Sequence, residues 1–331
     1  MTLIELIDHQ AQRLDAAGVS FGQGTLTAFD EAAWLVLWQL GRPLDTPLDD
    51  PAHDPDSRAQ DPVSPQEVDA ANQLVTRRIQ TRQPAAYLTR EAWLQGVPFY
   101  VDERVIIPRS LIAEVLVSGS IDPWLSEQTR CVLDLCTGNG SLAVLAAMAW
   151  PEVRVVGTDL STDALAVARI NVDRHGLGDR VDLLESDGLA VCLHGPGGTP
   201  SPAPSAPGRA GAAHAAYPIR FDLMLCNPPY VNAQSMVALP PEFRAEPALA
   251  LSGNAAGGQD GMDFIRKLLA EAPQCLSENG VLVLEIGHER PHFEAAFPHL
   301  QPLWLSTSAG DDQVLLLTRS QLLSGRTPAQ P

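Results

Sequence analysis

Long apolar runs are absent from this chain of 331 residues. No stretch of roughly eighteen uncharged apolar residues occurs, which excludes a hydrophobic membrane-spanning helix. The stretch 1–8 also lacks the basic region and the long apolar region of a signal peptide. We therefore expect a cytoplasmic protein, and its 45% of hydrophobic residues can bury a substantial core.

Basic residues are scarce as well, because 22 Lys and Arg stand against 40 Asp and Glu and leave a formal net charge of −18. This charge disfavours binding to nucleic acid, since phosphates would be repelled. It suits a basic protein partner, although many soluble proteins are acidic for solubility alone. We expect no sequence-specific contact with nucleic acid.

Cysteine is too sparse for a disulfide framework. The five cysteines are odd in number and include no C-x-x-C pair, and the eight histidines form no metal-ligand cluster. Cysteines of this kind are typically free thiols in a reducing cytosol. We therefore predict neither disulfides nor a metal site.

The N-terminal part of the chain has helical patterns. Apolar residues at helical spacing predict helices over 2–17 and 28–40. A third helix is predicted over 64–82, with Ser64 as N-cap and an acidic residue at the capping-box position. The Pro- and Asp-rich stretch 44–64 is typical of an exposed loop.

The pattern then changes to short apolar segments at 93–101 and 105–107, which predict strands of a β-hairpin. The predicted domains are a helical substrate-recognition domain at 1–85, a β-hairpin linker at 86–110 and an α/β domain at 111–331.

In the α/β domain, apolar strand candidates alternate with helical stretches. The predicted strands are 131–135, 154–158, 181–184, 221–226, 280–286 and 313–318, and the predicted helices are 141–150, 163–174 and 262–272. The alternation predicts a doubly wound, Rossmann-like parallel sheet, with the last strands pairing antiparallel at one edge. Residues 195–216 contain almost only Gly, Pro, Ala, Ser and Thr, so we expect a disordered insertion there.

A cofactor site is predicted where three successive strands end. Glycines in the loop 136–140 let the backbone approach a ligand and direct N–H groups toward it. Asp159 is placed to bind ribose hydroxyls, and Asp187 to accept from an adenine amine. The predicted cofactor-binding residues are Asp134, Cys136, Thr137, Gly138, Asn139, Gly140, Asp159 and Asp187.

This loop differs from a dinucleotide-binding loop, because Cys136 and Ala143 occupy two of its glycine positions. Asp134 would repel a pyrophosphate but suits the cationic amino-acid end of S-adenosylmethionine. We therefore predict S-adenosylmethionine as cofactor. An alternative role for Asp159 is to cap the next helix, which Ser161 and Asp163 open.

The tetrapeptide Asn227-Pro228-Pro229-Tyr230 follows the predicted strand 221–226. A planar NH2 group is a poor nucleophile because its lone pair is delocalised, so an enzyme must orient it and draw electron density onto it. The Asn227 side-chain oxygen and the Pro228 carbonyl can each accept one N–H, and Tyr230 can stack on the acceptor. Pro229 restricts the backbone of Pro228.

We predict that Asn227, Pro228 and Tyr230 are catalytic and that all four residues bind substrate. The alternative is a turn that only ends a strand.

Two further pairs of residues carry weaker signals of a functional or structural role. Glu285 and His288 follow a strand and could line the cleft, and Arg109 and Glu114 could form an interdomain ion pair.

Over nearly its whole length the chain resembles the glutamine side-chain amide methyltransferases that modify the translation machinery. The matching segments are 84–88, 91–93, 98–103, the cofactor loop, 227–230, and Glu246, Pro247, Leu249, Asp260 and Gly261. The resemblance implies methyl transfer from S-adenosylmethionine to a glutamine amide. The chain departs from the family at Arg90, where Gly is usual, at Leu94, at Leu111, and in the insertion 254–259.

Two branches of that family differ in substrate. Enzymes that methylate the Gly-Gly-Gln glutamine of release factors usually carry Pro-Arg-Pro-x-Thr-Glu after the hairpin. Residues 108–114 and 164–177 are instead similar to the branch that methylates large ribosomal subunit protein three. The resemblance thus implies a large-subunit ribosomal protein as substrate. From the acidic charge of the chain we expect this protein to be basic, and we expect it to be modified before its assembly.

Three other functions remain open on the sequence. Adenine amino-methyltransferases use the same Asn-Pro-Pro-Tyr chemistry, but would need a basic surface or a target-recognition domain. A non-catalytic ribosome-assembly factor and a nicotinamide oxidoreductase are the others.

Overall fold

The computed structural model describes residues 1–49, 52–195 and 219–324. The predicted insertion 195–216 lies outside the described residues, apart from Gly195. Within the described chain, no helix is both long and apolar enough to cross a membrane.

Three helices open the structure and confirm the helical predictions: α1 (Leu3–Ala16), α2 (Ala28–Gln39) and α3 (Pro65–Thr81). Each begins with a capping box, in which a Thr or Ser side chain and an acidic side chain exchange hydrogen bonds with backbone N–H groups. Their apolar faces form one core around Leu6, Leu35 and Val75.

The linker differs from its prediction. Residues Ala85–Thr89 form a helix, α4, and only β1 (Glu91–Leu94) and β2 (Val97–Tyr100) pair as an antiparallel hairpin. The expected strand at 105–107 is wrong, because the N–H of Ile107 donates to the Glu246 carboxylate at 3.0 Å instead of to a neighbouring strand. Val105 and Ile107 are buried in the N-terminal core.

Arg90 has a left-handed backbone, with φ +57°. It ends α4 as the C-cap and turns the chain into β1. Glycine adopts this conformation without steric cost, which explains why Gly suits this position. Here the Arg90 side chain forms an exposed ion pair with Glu103 instead.

A mixed seven-stranded sheet forms the centre of the described α/β domain and confirms the predicted fold class. Its strands are β3 (Cys131–Leu135), β4 (Arg154–Asp159), β5 (Val181–Glu185), β6 (Phe221–Cys226), β7 (Leu276–Glu285), β8 (Leu303–Thr307) and β9 (Gly310–Thr318). The spatial order is β5-β4-β3-β6-β7-β9-β8. β3 to β7 run parallel, whereas β9 pairs antiparallel with β7 and β8.

Helices cover both faces of this sheet. The helices of the described part of this domain are α5 (Ile112–Ser118), α6 (Ser141–Ala149), α7 (Thr162–Arg174), α8 (Ala190–His194), α9 (Ala233–Ala238), α10 (Ala248–Leu251), α11 (Asp263–Cys275), α12 (Arg290–Ala296) and α13 (Arg319–Ser324). Residues of α5 and α6 share one core with the sheet, and residues of α8, α11, α12 and α13 share the other. The sequence did not predict the strand β8 or the helices α5, α8, α9, α10, α12 and α13.

One buried side chain fastens the hairpin to the α/β domain. Asn171 of α7 is fully buried. Its amide accepts from the N–H of Tyr100 at 2.7 Å and donates to the carbonyl oxygens of Tyr100 and Asn139 at 2.9 and 2.8 Å. A single residue thereby joins β2, α7 and the loop after β3.

A buried ion-pair cluster connects the N-terminal helices to the segment that follows β6. Arg78 of α3 is 1% exposed and bonds to Glu31 of α2 at 2.8 Å, with Glu242 at 3.7 Å. Arg82 reaches the same Glu242 at 3.1 Å. Since Glu242 is fully buried, its charge depends on these two arginines.

Replacing Arg78 by Met should lower the free energy of unfolding by about 3–5 kcal/mol, because the carboxylates of Glu31 and Glu242 lose a buried partner. Urea unfolding measures this loss. Arg42→Met, which breaks the partly exposed pair with Asp61, is the control and should cost about 1 kcal/mol or less. Equal losses in the two variants would contradict a structural role for the cluster.

Candidate active site

The site lies where the chain changes direction in the sheet. From β3 the chain winds outward through β4 and β5, then crosses to β6 on the other side of β3. Leu135 pairs with Cys226, so the loop after β3 and the turn after β6 leave the sheet side by side. Ligands in open α/β sheets bind at such a switch point, beyond the carboxyl ends of the strands.

A cavity of about 260 Å³ occupies this position. Most residues predicted from the sequence line it: Cys136, Thr137, Gly138, Asn139, Asp159, Asp187, Asn227, Pro228, Pro229 and Tyr230. Asp134 and Gly140 are not among the lining residues. The structure therefore brings the two predicted sites together in a single cavity.

Asp134 is buried and supports the loop. One oxygen of its carboxylate accepts from the Thr137 hydroxyl and from the N–H of Ala143, the latter at 2.9 Å. Burial raises the pKa of the Asp134 carboxyl to about 7. A carboxyl with this pKa gains its charge near neutral pH.

Asp159 also holds the loop, because its carboxylate accepts from the N–H of Gly138 and from that of Ser161, each at 2.9 Å. The alternative that Asp159 caps the following helix is wrong. Ser161 is the N-cap of α7, and its hydroxyl accepts from Ala164. Burial raises the pKa of Asp159.

The loop keeps a left-handed backbone at Cys136, with φ +61°. This is the position where a dinucleotide-binding loop would have its first glycine. A non-glycine residue in this conformation is strained, by about 1–2 kcal/mol. Cys136 contacts the buried thiol of Cys226 on the neighbouring strand.

Three buried polar atoms in this region have no hydrogen-bond partner among the described residues: Asp134 Oδ1, Asn139 Nδ2 and Thr158 Oγ1. Buried polar atoms normally have partners, so each orphan indicates a place for a ligand or water. The set combines an acceptor, a donor and a hydroxyl.

Asp187 lies at the rim. Its carboxylate is 67% exposed and forms an ion pair with Lys267 of α11 at 2.9 Å. Lys267 is also the only lysine in the sequence. Asp187 can thus be reached from solvent, unlike Asp134.

The turn after β6, residues 227–230, presents free hydrogen-bond acceptors to the cavity, and we call it the acceptor turn. The side chain of Asn227 is partly exposed and forms no hydrogen bond with any described residue. Tyr230 is oriented by its hydroxyl, which donates to Glu285 Oε1 at 3.4 Å. His288 is exposed and does not line the cavity.

Sequence reasoning missed the wall formed by the linker, residues 104–110. Arg109 binds Glu246 through two hydrogen bonds, at 2.6 and 2.8 Å. The predicted partner Glu114 instead binds the backbone and hydroxyl of Ser308. An interdomain pair involving Arg109 is present, but its partner follows the acceptor turn by 16 residues, a separation that no local pattern reveals.

A closed loop, residues 253–261, packs against the acceptor turn. A Cβ atom on Gly253 would lie 2.2 Å from the Gly261 carbonyl oxygen, and one on Gly261 would lie 2.1 Å from that of Tyr230. Asn254 bridges the loop, since its side chain accepts from Gly261 and donates to Val231. Glycine is therefore required at both ends of the loop.

Comparison with known proteins identifies the family. A model described as a methyltransferase domain matches residues 132–196. The ribosomal protein uL3 glutamine methyltransferase of Bordetella pertussis is 49% identical, over 97% of this chain and 96% of that protein. The protein of the same name from Burkholderia pseudomallei is 46% identical, over 97% and 95%. The chain belongs to the ribosomal protein uL3 glutamine methyltransferase family.

Among solved structures, a methyltransferase from Pyrococcus furiosus matches with 16% identity and a TM-score of 0.43, over 68% of this chain and 90% of that one. The assignment to the uL3 glutamine methyltransferase family rests on the sequence relatives alone.

The raised pKa of Asp134 makes stability depend on pH. Because this pKa is higher in the folded protein than in the unfolded one, the contribution of Asp134 to stability is full below about pH 4 and is lost as pH rises through about 7. Asp134→Asn removes this titration. Between pH 5 and 8 its free energy of unfolding should rise relative to the wild type by about 2–3 kcal/mol, as measured by urea titrations. A difference that does not vary with pH would show that Asp134 is ionised throughout.

Proposed function

We propose that this protein transfers a methyl group from S-adenosylmethionine to the side-chain amide nitrogen of a glutamine in ribosomal protein uL3. The observation that carries the proposal is the pairing of two free acceptors, Asn227 and the turn at Pro228, with the loop 136–140 in one cavity. The relatives' name supports a uL3 glutamine as the acceptor.

The residues present fit S-adenosylmethionine. Its amino-acid end carries an acceptor carboxylate, to which the unpartnered Asn139 Nδ2 of the cavity lining can donate. Asp134 does not line the cavity and acts through the loop that it holds. Asp159 and Asp187 line the cavity as acceptors for ribose hydroxyls and the adenine amine. When bound, the cofactor supplies an electrophilic methyl group.

The acceptor turn orients the glutamine amide. Asn227 Oδ1 and the Pro228 carbonyl oxygen each accept one N–H, which fixes the plane of the amide and draws electron density toward its nitrogen. Positive charge develops on that nitrogen during transfer, and the two oxygens stabilise it. The proton leaves after transfer, so no strong base is required. Orientation can supply up to about 7–11 kcal/mol of the barrier reduction.

The helical domain over residues 1–85 is proposed to recognise the substrate. Two buried glutamates, Glu242 and Glu246, fasten the segment after the acceptor turn to Arg78 and Arg82 on the helical side and to Arg109 of the linker. A protein held by the helices would thus be presented to the turn. We propose free uL3 as substrate, because a net charge of −18 would be repelled by the RNA of an assembled subunit.

Transfer of radiolabelled methyl to uL3, to a release factor and to assembled large subunits, compared side by side, tests the proposal. We expect label on a glutamine of free uL3, mapped by peptide mass spectrometry. Asn227→Ala should lower kcat by about 10²–10³-fold, since it removes one oriented acceptor. Asn232→Ala is the matched control, because Asn232 caps α9 and does not line the cavity.

Label on the release factor alone would keep the mechanism and reject the substrate. Label on RNA would favour the amino-methyltransferases that act on nucleic acid. An Asn227→Ala strain tests for a non-catalytic assembly factor. A strain that grows like the wild type would favour such a factor, and a strain with the defect of a deletion would favour an enzyme.

Cofactor identity has its own test. S-adenosylhomocysteine at about 100 times its Kd should stabilise the fold by about 2.7 kcal/mol, which thermal melting detects as a higher Tm. NAD serves as the control and should leave the Tm unchanged. Protection by NAD would instead favour an oxidoreductase.

A further inference from the structure

Glu285 is a buried carboxylate that the mechanism above does not use. It is the last residue of β7, and its neighbour Leu284 pairs with Cys226 at the end of β6. Its position is therefore adjacent to that of Asn227, at the same edge of the sheet. Its side chain is 4% exposed and does not line the cavity.

The two oxygens of Glu285 serve two different segments. Oε2 accepts from the Ser110 hydroxyl at 2.6 Å and from the N–H of Leu111 at 2.9 Å, both at the end of the linker. Oε1 accepts from the Tyr230 hydroxyl at 3.4 Å. One carboxylate thus connects the linker wall of the cavity to the acceptor turn.

Tyr230 is positioned from a second direction by Gly287. This glycine has φ +53°, and a Cβ atom on it would lie 2.6 Å from Tyr230 Cε2. The aromatic ring therefore packs directly on the backbone that follows β7. The ring of Tyr230 packs against Gly287 and its hydroxyl bonds to Glu285. The end of β7 and the residues just after it therefore fix both the position and the rotation of this ring.

The protonation state of Tyr230 agrees with this geometry. Burial, together with the nearby carboxylate of Glu285, raises the pKa of the Tyr230 hydroxyl, which therefore remains a proton donor at all working pH values. Burial also raises the pKa of Glu285, whereas its hydrogen bond with Ser110 lowers it.

We propose that Glu285 is a positioning residue. It fixes the position of Tyr230 relative to Asn227, and its contact with Ser110 makes this position depend on where the linker packs. Glu285 does not touch the glutamine; it acts through Tyr230, which stacks on the amide. This role rests on the proposed glutamine methylation at the same site.

The test is a double-mutant cycle of Glu285→Gln and Tyr230→Phe, assayed for methyl transfer to uL3. The side chain of Glu285→Gln keeps an oxygen that can accept from Ser110 and Leu111, but its NH2 group cannot accept from Tyr230. We expect kcat to fall about tenfold in each single variant, with the KM for S-adenosylmethionine and the Tm unchanged. The double variant should be no slower than the slower single one, because both changes break the same contact.

Glu114→Gln is the matched control. Like Glu285, Glu114 accepts from a serine hydroxyl and a backbone N–H, at 2.6 and 2.8 Å, but it lies outside the cavity lining. Its kcat should equal that of the wild type. An unchanged kcat in Glu285→Gln, losses that multiply in the double variant, or a parallel fall of kcat, Tm and cofactor affinity would each overturn the positioning role.

The wild-type protein separates the two proposals. If it labels no glutamine, the proposed function fails and the positioning role falls with it. If it labels uL3 while Glu285→Gln is fully active, the proposed function stands and only the role of Glu285 is rejected.

Discussion

The parallel pairing of β3 with β6 is the constraint on which the site depends. Neither the cofactor loop nor the acceptor turn forms a site alone, and Cys136 and Asn227 lie 91 positions apart in the sequence. The register that pairs Leu135 with Cys226 places both segments at one sheet edge. Because both strands are buried and parallel, a slip by one residue would move apolar side chains from one packed layer to the other, so the register is strongly specified.

A second set of contacts closes the cavity from the side of the linker. The Arg109–Glu246 pair and the buried cluster around Glu242 both attach the segment after β6 to residues that precede the sheet. Such pairs contribute little net stability once desolvation is counted, but breaking one leaves a buried charge. Their effect is therefore geometric, in that they select a single arrangement of helices, linker and acceptor segment.

Sequence reasoning succeeded where the signal is local. Apolar periodicity located α1 and α2, a capping box located α3, and continuous apolar runs located β3 and β6 to the residue. The predicted site residues came from strand ends, and most of them line the cavity. It failed where tertiary contacts decide the conformation. Ile107 resembles a strand residue, yet it bonds to a carboxylate 139 positions later, and α4 and β8 are too short to show a clear period.

The glycines at the two ends of the loop 253–261 have a consequence for how this chain can vary in length. The ends are in backbone contact with each other and with the acceptor turn, so the residues between them leave and return at the same point. Lengthening a loop whose ends are already closed costs only about 0.6 kcal/mol for each doubling. This loop is therefore a natural place for evolution to add residues, and a suitable position for inserting a fluorescent label or affinity tag beside the cavity without moving Tyr230.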